Sequence, residues 1–136
     1  MQKINVLISW SGDNYSAGTG DNVGGVVLAT GKTLEDVKEK FISAFDFHVE
    51  GCLADGDDLS EDIKTGAYEF EYTLQVSALL HSLDGILTRS ALARVTGINE
   101  RQLGHYATGH STPRPAQREK IIKGIHRIGS DFVNVV

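Results

Sequence analysis

SALARVTGINERQLGHYATG, residues 90–109, decides how the second half of this chain is read. Thr88 stands just before it, placed to cap a helix with Leu92 and Val95 inward and Gly97 at its end. Asn99 is placed to cap the next helix. Gln102, three residues on, completes its box, and Leu103 and Tyr106 point inward. The small Ala93 lets two such helices approach closely. Gly104, inside the second, costs about 1 kcal/mol of helix propensity. The spacing predicts two short helices joined by a tight turn.

Outward from this pair, everything from residue 75 onward reads as helix. Val76, Leu79, Leu80 and Leu83 mark one helix that ends near Asp84-Gly85. Pro115 suits the first turn of another, which carries Ile121, Ile122, Ile125 and Ile128 and is stopped by Gly129. The tail 132–136 is apolar and too short to classify.

Residues 1–74 follow a different period. Ile4, Val6, Ile8 and Trp10 alternate with polar residues as a half-buried strand. Residues 15–18 return as a second strand, a Gly-rich loop follows (Gly18, Gly20, Gly24, Gly25), and Val26–Thr30 form a third. Thr33 caps a helix whose apolar face runs Leu34, Val37, Phe41, Phe45, His48 up to about Val49, with Gly51 as its stop. The acidic stretch 54–65 reads as an exposed loop, and Tyr68, Phe70, Tyr72 and Leu74 as a fourth strand. The expectation is α+β: a β-β-β-α-β module over 1–74, its helix layered on an antiparallel sheet, then an all-α module over 75–136.

Charge separates the same two halves. The chain has 136 residues, 40% hydrophobic and 23% charged, with a net charge of −5. Residues 1–74 hold 14 Asp/Glu against 5 Lys, a balance of −9. Residues 75–136 hold 4 against 8 Lys/Arg, a balance of +4, and four of the five histidines. A basic half suits a polyanion and an acidic half a basic partner. No apolar run is long enough to span a membrane. No export signal is visible at the N-terminus, and the lone Cys52 excludes an internal disulfide framework, so a cytoplasmic location is expected.

Chemistry-bearing patterns for catalysis are lacking. Asp55, Asp57 and Asp58 miss the spacing of a calcium loop. His105 and His110 are five apart rather than the four of a zinc-binding helical pair. The glycines carry no phosphate fingerprint. Neither an enzyme, nor a metal site, nor a cofactor is expected.

Through Leu92-Ala93, Gly97-Ile98, Leu103, Tyr106, Gly109 and Pro113, the helical half resembles the helix-turn-helix of the Cro/repressor-like (XRE) group. Ala107 departs from it where a Glu is common. The resemblance implies that the helix from Asn99 to Thr108 enters the major groove of operator DNA by its N-terminus. Its outward residues are Asn99, Glu100, Arg101, Gln102 and His105. Arg101 then suits guanine, Gln102 adenine and Glu100 cytosine. Arg89, His110, Ser111, Thr112 and Arg114 are placed for phosphates.

Tyr15-Ser16-Ala17, the Gly-rich loop, Gly25–Gly31 and Thr33–Val37 resemble the HicB antitoxin domain, a compact reduced RNase H-like fold often followed by a DNA-binding domain. Val23-Gly24-Gly25 stands where that family often has a Pro. This resemblance implies an antitoxin that neutralises a HicA-type mRNA-cleaving toxin and represses its own operon as a homo-dimer or higher oligomer. The acidic residues Glu35, Asp36, Glu39, Glu69 and Glu71 are the candidates for meeting the basic toxin. A one-component repressor with an N-terminal ligand-sensing module is the alternative, and an assembly module without DNA a third.

Overall fold

Alternation settles the first layer. In the computed structural model, which describes residues 1–20 and 23–136, β1 (Gln2–Trp10) buries Ile4, Val6 and Ile8 and exposes Lys3, Asn5 and Leu7. Residues 21 and 22, inside the expected Gly-rich loop, lie outside the described residues. β2 (Tyr15–Thr19) and β3 (Val27–Gly31) follow, and β4 (Tyr68–Leu74) completes a four-stranded sheet of order β3-β2-β1-β4. β1–β2 and β2–β3 are antiparallel, but β4 runs parallel to β1, with Ile4 opposite Phe70 and Val6 opposite Tyr72. The sheet is therefore mixed, correcting the antiparallel expectation. From β3 at one edge the chain crosses over a helix to β4 at the other, the connection that parallel neighbours require.

That crossover is α1 (Leu34–Asp55), capped by Thr33, whose Oγ1 accepts from the Asp36 amide at 3.0 Å. Its fully buried Val37, Phe41 and Phe45 cover the sheet. Phe45 meets Tyr68 and Phe70 edge-on at 5.2 and 5.1 Å, and Phe41 meets Phe70 at 5.3 Å. The helix does not stop at Gly51; it continues one more turn to a left-handed Gly56 (φ 71°). Cys52 extends the apolar stripe by four residues and is buried, which outweighs the propensity lost at an exposed glycine. The expected loop 54–65 also contains structure. Ser60 caps α2 (Glu61–Thr65), and Leu59 and Ile63 close the bottom of the core at 5 and 1% exposure.

The second core gathers Val76 and Leu80 of α3 (Val76–Ser82), Leu92 of α4 (Arg89–Thr96), Leu103, Tyr106 and Ala107 of α5 (Glu100–Thr108), and Ile121 of α6 (Pro115–Val133). α6 passes through the exposed Gly129 to Val133, so that glycine is no stop and the first two residues of the unclassified tail are helix. α3 straddles both cores: Ala78 packs into the first, Val76 and Leu80 into the second. The Trp10 amide donates to Ser77 Oγ at 3.1 Å, and the His81 ring stacks on Trp10 at 3.5 Å. The architecture is α+β, and among the described residues no helix is long and apolar enough to cross a membrane.

Candidate nucleic-acid interface

The turn between α4 and α5 is fixed by capping at both ends. Thr88 Oγ1 accepts from the Ala91 amide at 3.0 Å, and α4 ends on Gly97 at φ 75°, a conformation that costs a glycine nothing. Thr96 is buried, and its hydroxyl donates to Leu92 O at 2.7 Å and accepts from the Ile98 amide at 3.2 Å. Asn99 Oδ1 then accepts from the Gln102 amide at 2.8 Å and starts α5. From behind, α6 closes on α4 so tightly that a Cβ on the buried Gly124 would stand 2.8 Å from Thr96 Cγ2.

α5 consequently shows its first turn to solvent. Glu100 and Arg101 are exposed and form no ion pair among the described residues. Asn99, Gln102, Thr112 and Arg114 come together on one open concavity of about 610 Å³ beside the start of α5. Gln102 Nε2 donates to Ser111 Oγ at 3.2 Å, which ties the helix to the loop before α6. His105 and His110 stand beside each other, ring centroids 4.6 Å apart. Thus α5 and the 110–114 loop form one surface that carries Arg101 and Arg114, neither of them ion-paired among the described residues.

Arg89 is engaged within the chain. Its Nη1 lies 3.2 Å from Asp84 Oδ1 and donates to Leu80 O at 3.5 Å, so the guanidinium ties α4 to α3. Asp84 also faces His81 Nδ1 at 3.4 Å, and His81 stacks on Trp10. This Trp10–His81–Asp84–Arg89 chain joins the end of the sheet to the start of α4. Sequence spacing could not reveal it, because its members come from three elements. Arg118 is a second tie, donating through Nη2 to Leu74 O at 3.2 Å.

The acidic candidates do not converge. Glu69 and Glu71 lie on the sheet face that α1 leaves open, with Glu71 held by Lys3 at 3.3 Å. Glu35, Asp36 and Glu39 lie on the first turns of α1, on the other side of the layer pair. Asp36 accepts from Lys40 Nζ at 3.1 Å and from the Lys32 amide at 3.2 Å, and these bonds hold its carboxyl below the usual carboxylate range. Cys52 shows no sign of activation: burial, then the nearby Asp57, pushes its thiol up. Among the described residues no three His, Cys, Asp or Glu form a cluster that could hold a metal ion.

Compared with family models, curated proteins and solved structures, the chain matches none.

Proposed function

We propose that this chain is a HicB-like antitoxin that binds a HicA-type toxin through its α+β half and represses its operon through α4 and α5. The supporting observation is the capped α4–Gly97–Asn99–α5 unit, which presents exposed Glu100 and Arg101 beside a concavity lined by Asn99, Gln102, Thr112 and Arg114. Helix N-terminus, amide side chains and free guanidinium groups are what major-groove reading uses. The β-β-β-α-β order, with the short α2 added, and the −9/+4 split of charge agree with it. Both partners meet the chain in the cytoplasm, and neither role calls for catalysis or a cofactor. Co-expression with a HicA-type toxin tests the reading: growth should recover, and the purified protein should shift DNA from its own upstream region. Failure of both removes it.

A one-component repressor is the second reading. A cleft of about 330 Å³ between the sheet end and the helical half is lined by Trp10, Ser77, Tyr106, Thr112 and Arg118, and supplies a place for an effector.

Two expected outcomes follow. Arg101→Ala should weaken operator binding by about 1–3 kcal/mol and relax one base position. Arg114→Ala, at an exposed phosphate-facing cation, should weaken all sequences alike and reduce the salt slope by about one. It is a cleaner control than Arg89, whose removal also unties α3 from α4. Fluorescence anisotropy on a panel of single-base operator variants separates the two; equal losses on every variant would take Arg101 out of base readout.

The second outcome concerns the toxin. Glu69→Gln with Glu71→Gln should slow toxin association at low salt and leave dissociation nearly unchanged, since rim charges act on encounter. The difference should vanish near 1 M salt, where the screening length is about 3 Å. Stopped-flow association rates that ignore both mutation and salt would rule out steering by this face.

A further inference from the structure

The geometry points to a two-fold dimer in which a second copy of this chain docks across the free edge of β3 and packs α1 against α1. Three of the most exposed large apolar side chains of the α+β half flank that edge on its two faces: Phe47 (78% exposed) on α1, beside a groove of about 440 Å³, and Val26 and Leu28 (69 and 70%) on the open sheet face, where Leu28 lies over Gly18. β3 is also an edge of the sheet, so among the described residues its outward backbone groups have no strand partner. An unpaired apolar edge beside an unpartnered apolar helix face is a template for another chain.

The pattern along the groove identifies that chain. After a short connection α1 returns along β3, which brings Phe47 and His48 level with Val26–Leu28. Place a two-fold axis through Val27 and between Phe47 and His48. Val26 then faces Leu28 of the second copy, two apolar residues of the same strand face. On the helix, Phe47 meets His48 of the second copy at the axis, and Ala44 meets its Gly51. Beyond them Lys40, exposed and bonded to Asp36 at 3.1 Å in its own chain, meets Asp55 of the second copy, and Asp55 meets its Lys40. About that one axis apolar, small and opposite charges all pair with their complements. A different partner has no reason to impose a pattern that reads alike in both directions; an isologous contact requires it. Gly51 gains a reason as well. It lowers helix propensity one turn before the end of α1, and among the described residues nothing beyond the helix's own backbone lies within 4 Å of a Cβ there.

The proposal stands apart from the antitoxin reading, because its test needs neither toxin nor DNA. Sedimentation equilibrium of the full chain should show a monomer–dimer equilibrium. Phe47→Asp, which places a charge at the axis, should raise the dimer Kd about 100-fold or more. Lys40→Glu and Asp55→Lys should each raise it about tenfold, because symmetry puts like charges together twice. The double variant Lys40→Glu/Asp55→Lys should return to within about threefold of wild type, and only a two-fold copy yields that rescue. Circular dichroism on each variant separates a lost dimer from a lost fold. A wild type that is monomeric at every concentration, as it would be if the groove seated a different basic chain, overturns the proposal. So does a dimer indifferent to Phe47→Asp, or a charge reversal without rescue.

Discussion

Phe45→Ala should destabilise the protein by about 3–5 kcal/mol, the range for a fully buried aromatic cut to a methyl. Phe45 has no exposed surface and stands among four rings: Phe41, His48, Tyr68 and Phe70. Those rings come from α1 and β4, which the chain joins only through the crossover, so the site cannot collapse without moving the helix off the sheet. Lost transfer energy, lost edge-to-face contacts and the cavity term all act in one direction. Urea unfolding should show a lower midpoint with an unchanged slope. Trp10, the single tryptophan, stacks on His81 at the junction of the two cores, and α3 packs into both. Its fluorescence and the helical circular dichroism should therefore shift together. A loss under 1 kcal/mol, or two separated transitions, would contradict a core organised around Phe45 and shared through α3.

Most local signals set by capping or period were legible. Thr33, Thr88 and Asn99 cap helices as their positions predict, and Gly97 ends α4 with a positive φ. Alternation located all four strands. It could not orient β4, since a strand with one wet face alternates alike beside a parallel or an antiparallel neighbour. Only the crossover of α1 to the far edge decides that. The helix ends at Gly51 and Gly129 were misread because an exposed glycine lowers propensity without forcing a stop. A stop needs a left-handed residue and a following break in the apolar stripe, as at Gly56. The signal for α2 was present in Ser60, a capping residue six positions before the left-handed Gly66, but the acidic composition concealed it.

The geometry of the candidate site was legible where it is local. Asn99, Gln102, Thr112 and Arg114 share one concavity because a single turn and one loop position them. Arg89 was not legible: its partners, Asp84 and Leu80 O, depend on how α3 packs against α4. The acidic set consists of carboxylates on the wet faces of two elements. Periodicity shows which residues of an element are wet without showing that the two wet faces point to opposite sides of the layer pair. Glu69 and Glu71 consequently lie across the sheet from Glu35 and Glu39.

Gly31→Ala should cost about 3 kcal/mol or more, although it adds one methyl and the backbone there needs no positive φ. The methyl carbon would stand 2.6 Å from the Val37 nitrogen and 2.8 Å from both Val37 Cα and Asp36 Oδ2. Two of these are backbone atoms, which no rotamer change can move aside. Relief requires lifting the first turn of α1 away from β3. That turn holds the Val37 amide on Thr33 O at 3.0 Å and the Lys32 amide on Asp36 Oδ2 at 3.2 Å. A thermal melt should show a fall of about 10 °C in Tm. Gly104→Ala, with nothing within 4 Å of its Cβ, should instead gain up to about 1 kcal/mol of helix propensity. Acid adds an independent signature. Asp36 is held below its ordinary value in the fold, so its contribution is present above the unfolded carboxylate pKa and fades as pH falls through the lowered one. Gly31→Ala pulls the Lys32 amide away from that carboxylate. The variant's disadvantage should therefore narrow on acidification through this range, as the wild type loses a contact the variant has already weakened. A melt within 2 °C of wild type would show that α1 can ride up on β3 without strain, and a disadvantage that widens in acid would remove Asp36 from the account.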